Sequence, residues 1–212
     1  DLFEGTGYEL PRVEPGATHF DVSPDGRRIA FVHDPSPRKL AVNPTAIAEI
    51  DVAARRVTPL TRDDAWSYEA PRYNPDGSRV ACVATNVGRR HTMLGRLAFL
   101  RRGAPPRVVG NAWPIDVDGP LRWSPDGRAV LFAAQEEGRC HLWRFEVQGE
   151  RLGIAVQGGW VQGFDVGGAP GDETIVVAAD CAAHPVQVHA IRSGAARRIE
   201  RFNDDRMARV AL

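Results

Sequence analysis

Several things this chain has little of narrow what it can be. Of its 27 basic residues only Lys39 is a lysine; the rest are arginines. That bias fits a GC-rich, bacterial coding sequence, and arginine also favours fixed ion pairs. Cysteine is scarce: Cys82, Cys140 and Cys181 are far apart, and none is in a CxxC pair. An odd count argues against a disulfide framework and the spacing against a zinc site, so all three are expected as buried, reduced thiols in strands. Net charge is absent, with 27 acidic residues against the 27 basic ones. This removes the electrostatic case for nucleic acid or an anionic membrane as partner. No apolar run approaches the ~20 residues of a membrane-spanning helix, and no signal peptide is visible. The first residue is Asp1 rather than Met, which reads as an excised segment. Capped helical patterns of ten or more residues are lacking too.

What is there is a repeat. Residues 20–32 read FDVSPDGRRIAFV, residues 71–83 PRYNPDGSRVACV and residues 121–133 LRWSPDGRAVLFA. The prolines Pro24, Pro75 and Pro125 are 51 and 50 residues apart. A worn fourth copy, FDVGGAPGDETIVVA, occupies 164–178. Trp66, Trp113 and Trp160 run in step, 47 residues apart, each shortly before a repeat. A period near 50 is the mark of a stacked supersecondary unit.

Each copy has a physical reading. Ser23-Pro24-Asp25-Gly26 suits a tight turn: proline presets φ, aspartate fits the next position, and glycine takes the left-handed conformation. Asn74-Pro75-Asp76-Gly77 and Ser124-Pro125-Asp126-Gly127 repeat it. An apolar run follows each turn (Ile29–Val32, Val80–Val83, Val130–Ala133), then two more strand-like runs. In the first unit these are 46–52 and 56–60, in the second 96–100 and 107–109, in the third 141–147 and 152–156, and in the fourth 186–191 and 197–200. Four strands per unit predict an all-β chain, a β-propeller of about four four-stranded blades. A β-sandwich also has many short strands, but its strands need not repeat in fours. The expected blades span about 16–62, 66–110, 113–158 and 160–203, within a single segment 1–212. Residues 1–15 read as the end of a preceding blade and 204–212 as an exit linker. Four blades are few for closure, so the segment is expected to be part of a larger, seven- or eight-bladed propeller.

The element SPDGRRIAFV, with its partners at 74–83 and 124–133, resembles the propeller repeat shared by TolB proteins and the prolyl oligopeptidase family of serine peptidases. The end of the chain resembles the last blade of the acylaminoacyl-peptidase-like and dipeptidyl-peptidase-like members. There Ala183-His184-Pro185-Val186-Gln187-Val188 leads to Ala196-Arg197-Arg198-Ile199 and then Phe202-Asn203-Asp204-Asp205. The resemblance implies a non-catalytic propeller that gates short peptides to an α/β-hydrolase active site. The implied partners are a C-terminal hydrolase domain of the same polypeptide and a peptide substrate. No metal or organic cofactor is implied, and a cytoplasmic location is expected. The alternative is a TolB-like protein-interaction propeller with no enzymatic role, which would be periplasmic. A propeller enzyme with a central metal is a weaker third reading, because convergent acidic and histidine ligands are not evident.

No catalytic residue can be carried over. None of the six serines, at 23, 36, 67, 78, 124 and 193, stands in a GxSxG elbow. Of the six histidines, at 19, 33, 91, 141, 184 and 189, no pair has a ligand spacing such as HExxH, and His33, His91 and His184 are expected in solvated loops. The turn aspartates Asp25, Asp76 and Asp126 are explained by the turns. The pairs Arg89-Arg90 and Arg101-Arg102 read as solvated surface, since no phosphate-binding loop accompanies them. The tryptophans remain. Trp66, Trp113 and Trp160 are expected in links from the last strand of one blade to the first of the next. They either pack between blades or line a peptide path.

Overall fold

The computed structural model describes residues 2–8, 10, 16, 18–36, 44–62, 65–88 and 93–209. Their regular structure is almost all strand, in four antiparallel groups of four. The first sheet holds β1 (Phe20–Val22), β2 (Arg28–His33), β3 (Ala46–Asp51) and β4 (Arg56–Pro59). The second holds β5 (Trp66–Tyr73), β6 (Val80–Asn86), β7 (Arg96–Leu100) and β8 (Arg107–Val109). The third holds β9 (Arg122–Trp123), β10 (Ala129–Glu136), β11 (Arg139–Glu146) and β12 (Arg151–Val156). The fourth holds β13 (Trp160–Ala169), β14 (Asp172–Cys181), β15 (His184–Arg192) and β16 (Ala195–Arg198). Consecutive strands pair within each group, the pattern tight turns produce. One helix of four residues, α1 (Asp204–Met207), follows β16.

The chain divides into two compact units, Asp1–Leu121 and Arg122–Leu212. In the first unit, the first and second sheets bury a shared cluster that includes Ala30, Val32, Ile47, Tyr68, Val80, Cys82 and Leu100. In the second, Leu131 and Leu142 of the third sheet pack with Val161, Ile175 and Val177 of the fourth. A single parallel bridge, Cys140 with Trp160, also joins these two sheets edgewise. Alternation along each strand assigns the other residues to the opposite faces. On the first sheet that face is covered: Leu2, Phe3 and Tyr8 pack on Phe31, Ala48 and Ile50. The Phe3 and Phe31 rings meet edge to face at 4.7 Å.

The far face of the fourth sheet is open. Val176 and Ala178 pair across strands with Ala190 and Val188, all half-buried. Val186 and Ile199 are 40% and 47% exposed. A Cβ added at Gly163 or Gly167 would meet nothing within 4 Å. The worn fourth repeat also has its own geometry. Its first two strands are the longest among the described residues and meet in a two-residue turn, with Ala169 opposite Asp172.

Candidate functional site

The repeated turns are structural devices. The Ser23 hydroxyl donates to Asp25 Oδ1 at 2.6 Å, the Arg27 amide donates to the same oxygen at 3.0 Å, and the Arg28 amide donates to Ser23 Oγ at 2.9 Å. Ser124 and Asp126 repeat the first contact at 2.6 Å, and Ser78 donates its amide to Asp76 at 2.7 Å. The Ser23 hydroxyl, then the Arg27 amide, hold the Asp25 carboxyl below its usual range, and Ser78 does so for Asp76. Gly26, Gly77 and Gly127 have φ of 70°, 69° and 68°, where a side chain would be strained. These aspartates are acceptors that close turns.

The tryptophans do not share one environment. Trp66 is the first residue of β5, paired with Asn86 and packed on the first unit's apolar cluster. Trp160 is the first residue of β13, paired with Asp180. Two of the three therefore stand inside strands rather than in links, because the first strands of these two sheets run further upstream than the turn motifs indicate. Only Trp113 lies in a link. Its ring sits on Gly110, where an added Cβ would come within 2.3 Å of it. Trp160 is 36% exposed and lines an open cavity of about 950 Å³ between the third and fourth sheets. Val156, Val177, Ile191, His184 and His189 line it too, as does Cys181.

Cys82 and Cys140 are buried as expected, but Cys181 is exposed. It lies at the β14–β15 turn, opposite His184, with a side chain towards the open cavity. His184 Nδ1 lies 2.9 Å from the Pro185 carbonyl oxygen, and the Ala183 amide donates to Cys181 Sγ at 3.4 Å. His33 also departs from the solvated-loop expectation. It ends β2, is 7% exposed, and stacks edge-on with Tyr8 at 4.8 Å. Burial pushes its pKa down. His91, Arg89 and Arg90 lie outside the described residues. Among the described residues, no three His, Cys, Asp or Glu side chains converge as a metal site.

Two charged clusters escaped the sequence reading. Glu49, in the middle of β3, is 6% exposed. Its carboxylate accepts from the Tyr73 hydroxyl at 2.7 Å and from Arg102 Nε at 2.6 Å, and Arg28 stands 3.7 Å away. Arg102, expected as solvated surface, is therefore tied to a buried acid. Burial pushes the Glu49 carboxyl up, while Tyr73 and Arg28 hold it back. Burial and Glu49 together push the Tyr73 phenol up. In the second unit, Arg144 of β11 donates to Glu146 and to Glu173, each at 2.7 Å. Burial works against the Arg144 charge, but the two glutamates outweigh it and its pKa is raised. The signal for both clusters was a charge inside an apolar third strand, AIAEID and HLWRFE.

Comparison with known proteins fits this architecture. No family model matches the chain. Dipeptidyl-peptidase 5 of Porphyromonas gingivalis is 25% identical over 166 residues, which is 74% of this chain and 24% of that protein. The crystal structure of TolB from Acinetobacter baumannii superposes with a TM-score of 0.62 at 18% identity, over 84% of this chain and 42% of that one. A puromycin-hydrolyzing peptidase from Mycobacterium tuberculosis does so with a TM-score of 0.63 at 16% identity, over 90% of this chain and 30% of that one. The chain has a β-propeller fold, like TolB and the puromycin-hydrolyzing peptidase. The four sheets are thus propeller blades, and the chain spans about a quarter of the curated peptidase it matches.

Proposed function

We propose that this propeller is the non-catalytic part of a serine peptidase of the prolyl oligopeptidase family, and that it gates short peptides to an α/β-hydrolase domain of the same polypeptide. The observation that carries this reading is the match to dipeptidyl-peptidase 5 at the level of sequence, 25% over 166 residues. TolB supports the fold through structure. The open apolar face of the fourth blade supports a larger propeller, since a blade face of that composition is elsewhere in the chain packed against a neighbour. The gate works by exclusion: a narrow passage beside stacked sheets admits an extended peptide and rejects a folded domain. Bond cleavage would follow the Ser-His-Asp acyl-transfer route in the hydrolase domain. The polypeptide would act in the cytoplasm.

The test is hydrolysis by the complete parent polypeptide of a short fluorogenic peptide and of the same peptide embedded in a folded protein. Cleavage of the first alone is expected. A parent that cleaves neither, and has no GxSxG serine reactive to a fluorophosphonate, overturns the reading in favour of a TolB-like interaction module in the periplasm. Of the three tryptophans, Trp160 is the one with an exposed ring in a cavity, and we assign the peptide path to it rather than to Trp66 or Trp113. Trp160→Ala should raise KM for peptides with kcat unchanged; an unaltered KM removes Trp160 from the path.

A further inference from the structure

The cavity between the first two blades differs in kind from the apolar groove beside Trp160. It measures about 240 Å³, and its lining carries four arginines, Arg28, Arg79, Arg101 and Arg102, against one carboxylate, Glu49. That carboxylate is already engaged by Arg102 and Tyr73, with Arg28 only loosely added at 3.7 Å. Arg79 lies outside this arrangement. Its Nε–H is buried and has no acceptor among the described residues, a condition native structures rarely tolerate without an unseen partner. Arg101 lines the cavity and is exposed, and no ion pair engages it among the described residues. The fold does not demand such an excess. At the matching place in the second unit one arginine, Arg144, meets two glutamates.

We propose that this cavity binds a small oxyanion, a carboxylate or a phosphate, held between Arg79 and Arg101. Asp25 stands 3.9 Å from Arg28 and Asp76 interacts with Arg79 from outside the lining, so the charge left over is that of Arg101; a water molecule can accept from the Arg79 Nε–H but leaves that charge unanswered. A planar or tetrahedral oxyanion satisfies the donor and the charge together, because guanidinium groups present paired N–H donors.

The experiment titrates the full chain with inorganic phosphate and with acetate at ionic strength held constant by sodium chloride, reading the melting temperature and, by calorimetry, the binding isotherm. Saturable stabilisation by at least one of the two anions is expected. Arg101→Gln and Arg79→Lys should each weaken it by about tenfold, while Arg139→Gln, an exposed arginine elsewhere, should leave it unchanged. A stronger effect of phosphate identifies a phosphate ligand, and the reverse a carboxylate. Stabilisation that never saturates, that is absent, or that survives undiminished in Arg101→Gln overturns the proposal. Arg101 is exposed, so its variant decides the matter even if Arg79→Lys fails to fold.

Discussion

The two units place a charged residue at the same point of the repeat and give it opposite sign. Seven residues after the first residue of the turn motif stand Ala30 in the first blade and Leu131 in the third, each in the cluster shared with the following blade. Opposite them across the sheet stand Glu49 and Arg144. The first is a carboxylate among arginines, the second an arginine among carboxylates. At the same register in the second blade Phe99 stands opposite Ala81, covered by the Arg107 guanidinium at 5.3 Å. In the first and third blades the repeat thus fixes a position at the seam with the following blade but not its chemistry. What must be conserved across the seam is complementarity, since a buried charge is tolerated only with its partners in place.

Inverting one charge without its partners should therefore be the most damaging change. Glu49→Arg would set a further guanidinium among Arg28 and Arg102 and is expected to cost about 3–5 kcal/mol, read as a fall in denaturation midpoint. Arg144→Glu would set a third carboxylate beside Glu146 and Glu173. Because Arg144 is 26% exposed, its loss should be smaller, about 2–3 kcal/mol at neutral pH. The two variants should then part company in acid. Protonation relieves the crowded carboxylates of Arg144→Glu and restores stability as pH falls, whereas arginine stays charged and Glu49→Arg gains nothing. Equal behaviour of the two at low pH would break the proposed symmetry of the clusters.

How far these features could be read in advance follows from their range. The turns were legible because proline, aspartate and glycine act within four residues, and the hydroxyl–carboxylate contacts at 2.6 Å bear that out. The strands were legible as apolar runs bounded by those turns, even in the fourth blade, where the turn motif has eroded to Pro170-Gly171. Glu49 and Arg144 were not legible as partners. Glu49 meets Arg102 from 53 residues away, and Arg144 meets Glu173 from 29. Only the register of paired strands brings them together. His33 was misjudged for the same reason: its burial depends on Tyr8, far upstream. Cys181 was misjudged because the fourth blade's turn carries its thiol to the edge of a cavity.

The equivalent tryptophans extend the comparison at lower cost. Trp66 and Trp160 each open the first strand of the second blade of a unit, but one supports an apolar cluster and the other borders open space. Trp66→Ala is expected to cost about 2 kcal/mol, below a full core deletion because the ring is only partly buried. Trp160→Ala is expected to cost under about 1 kcal/mol. Chemical denaturation of the two variants measures the difference. Equal losses would mean that Trp160 also bears on packing and would weaken its assignment to a peptide path.

The smallest effect is also the most diagnostic of how Glu49 is held. Its folded pKa is raised above the ordinary value of 4.5, chiefly by burial, against the pull of Tyr73 and Arg28. A raised carboxyl pKa means that the folded state binds the proton more tightly than the unfolded chain does. The stability this contributes is full below 4.5 and is lost as pH rises through the folded value. Glu49→Gln keeps an acceptor for Tyr73 but removes the titration. Measured against the parent chain, the variant's stability should therefore climb with pH across that window and then level off. A difference that instead falls with pH would show that Arg102, 2.6 Å away, holds the carboxylate ionised. The seam of the first unit would then be a stabilising ion pair like that of Arg144, differing only in sign.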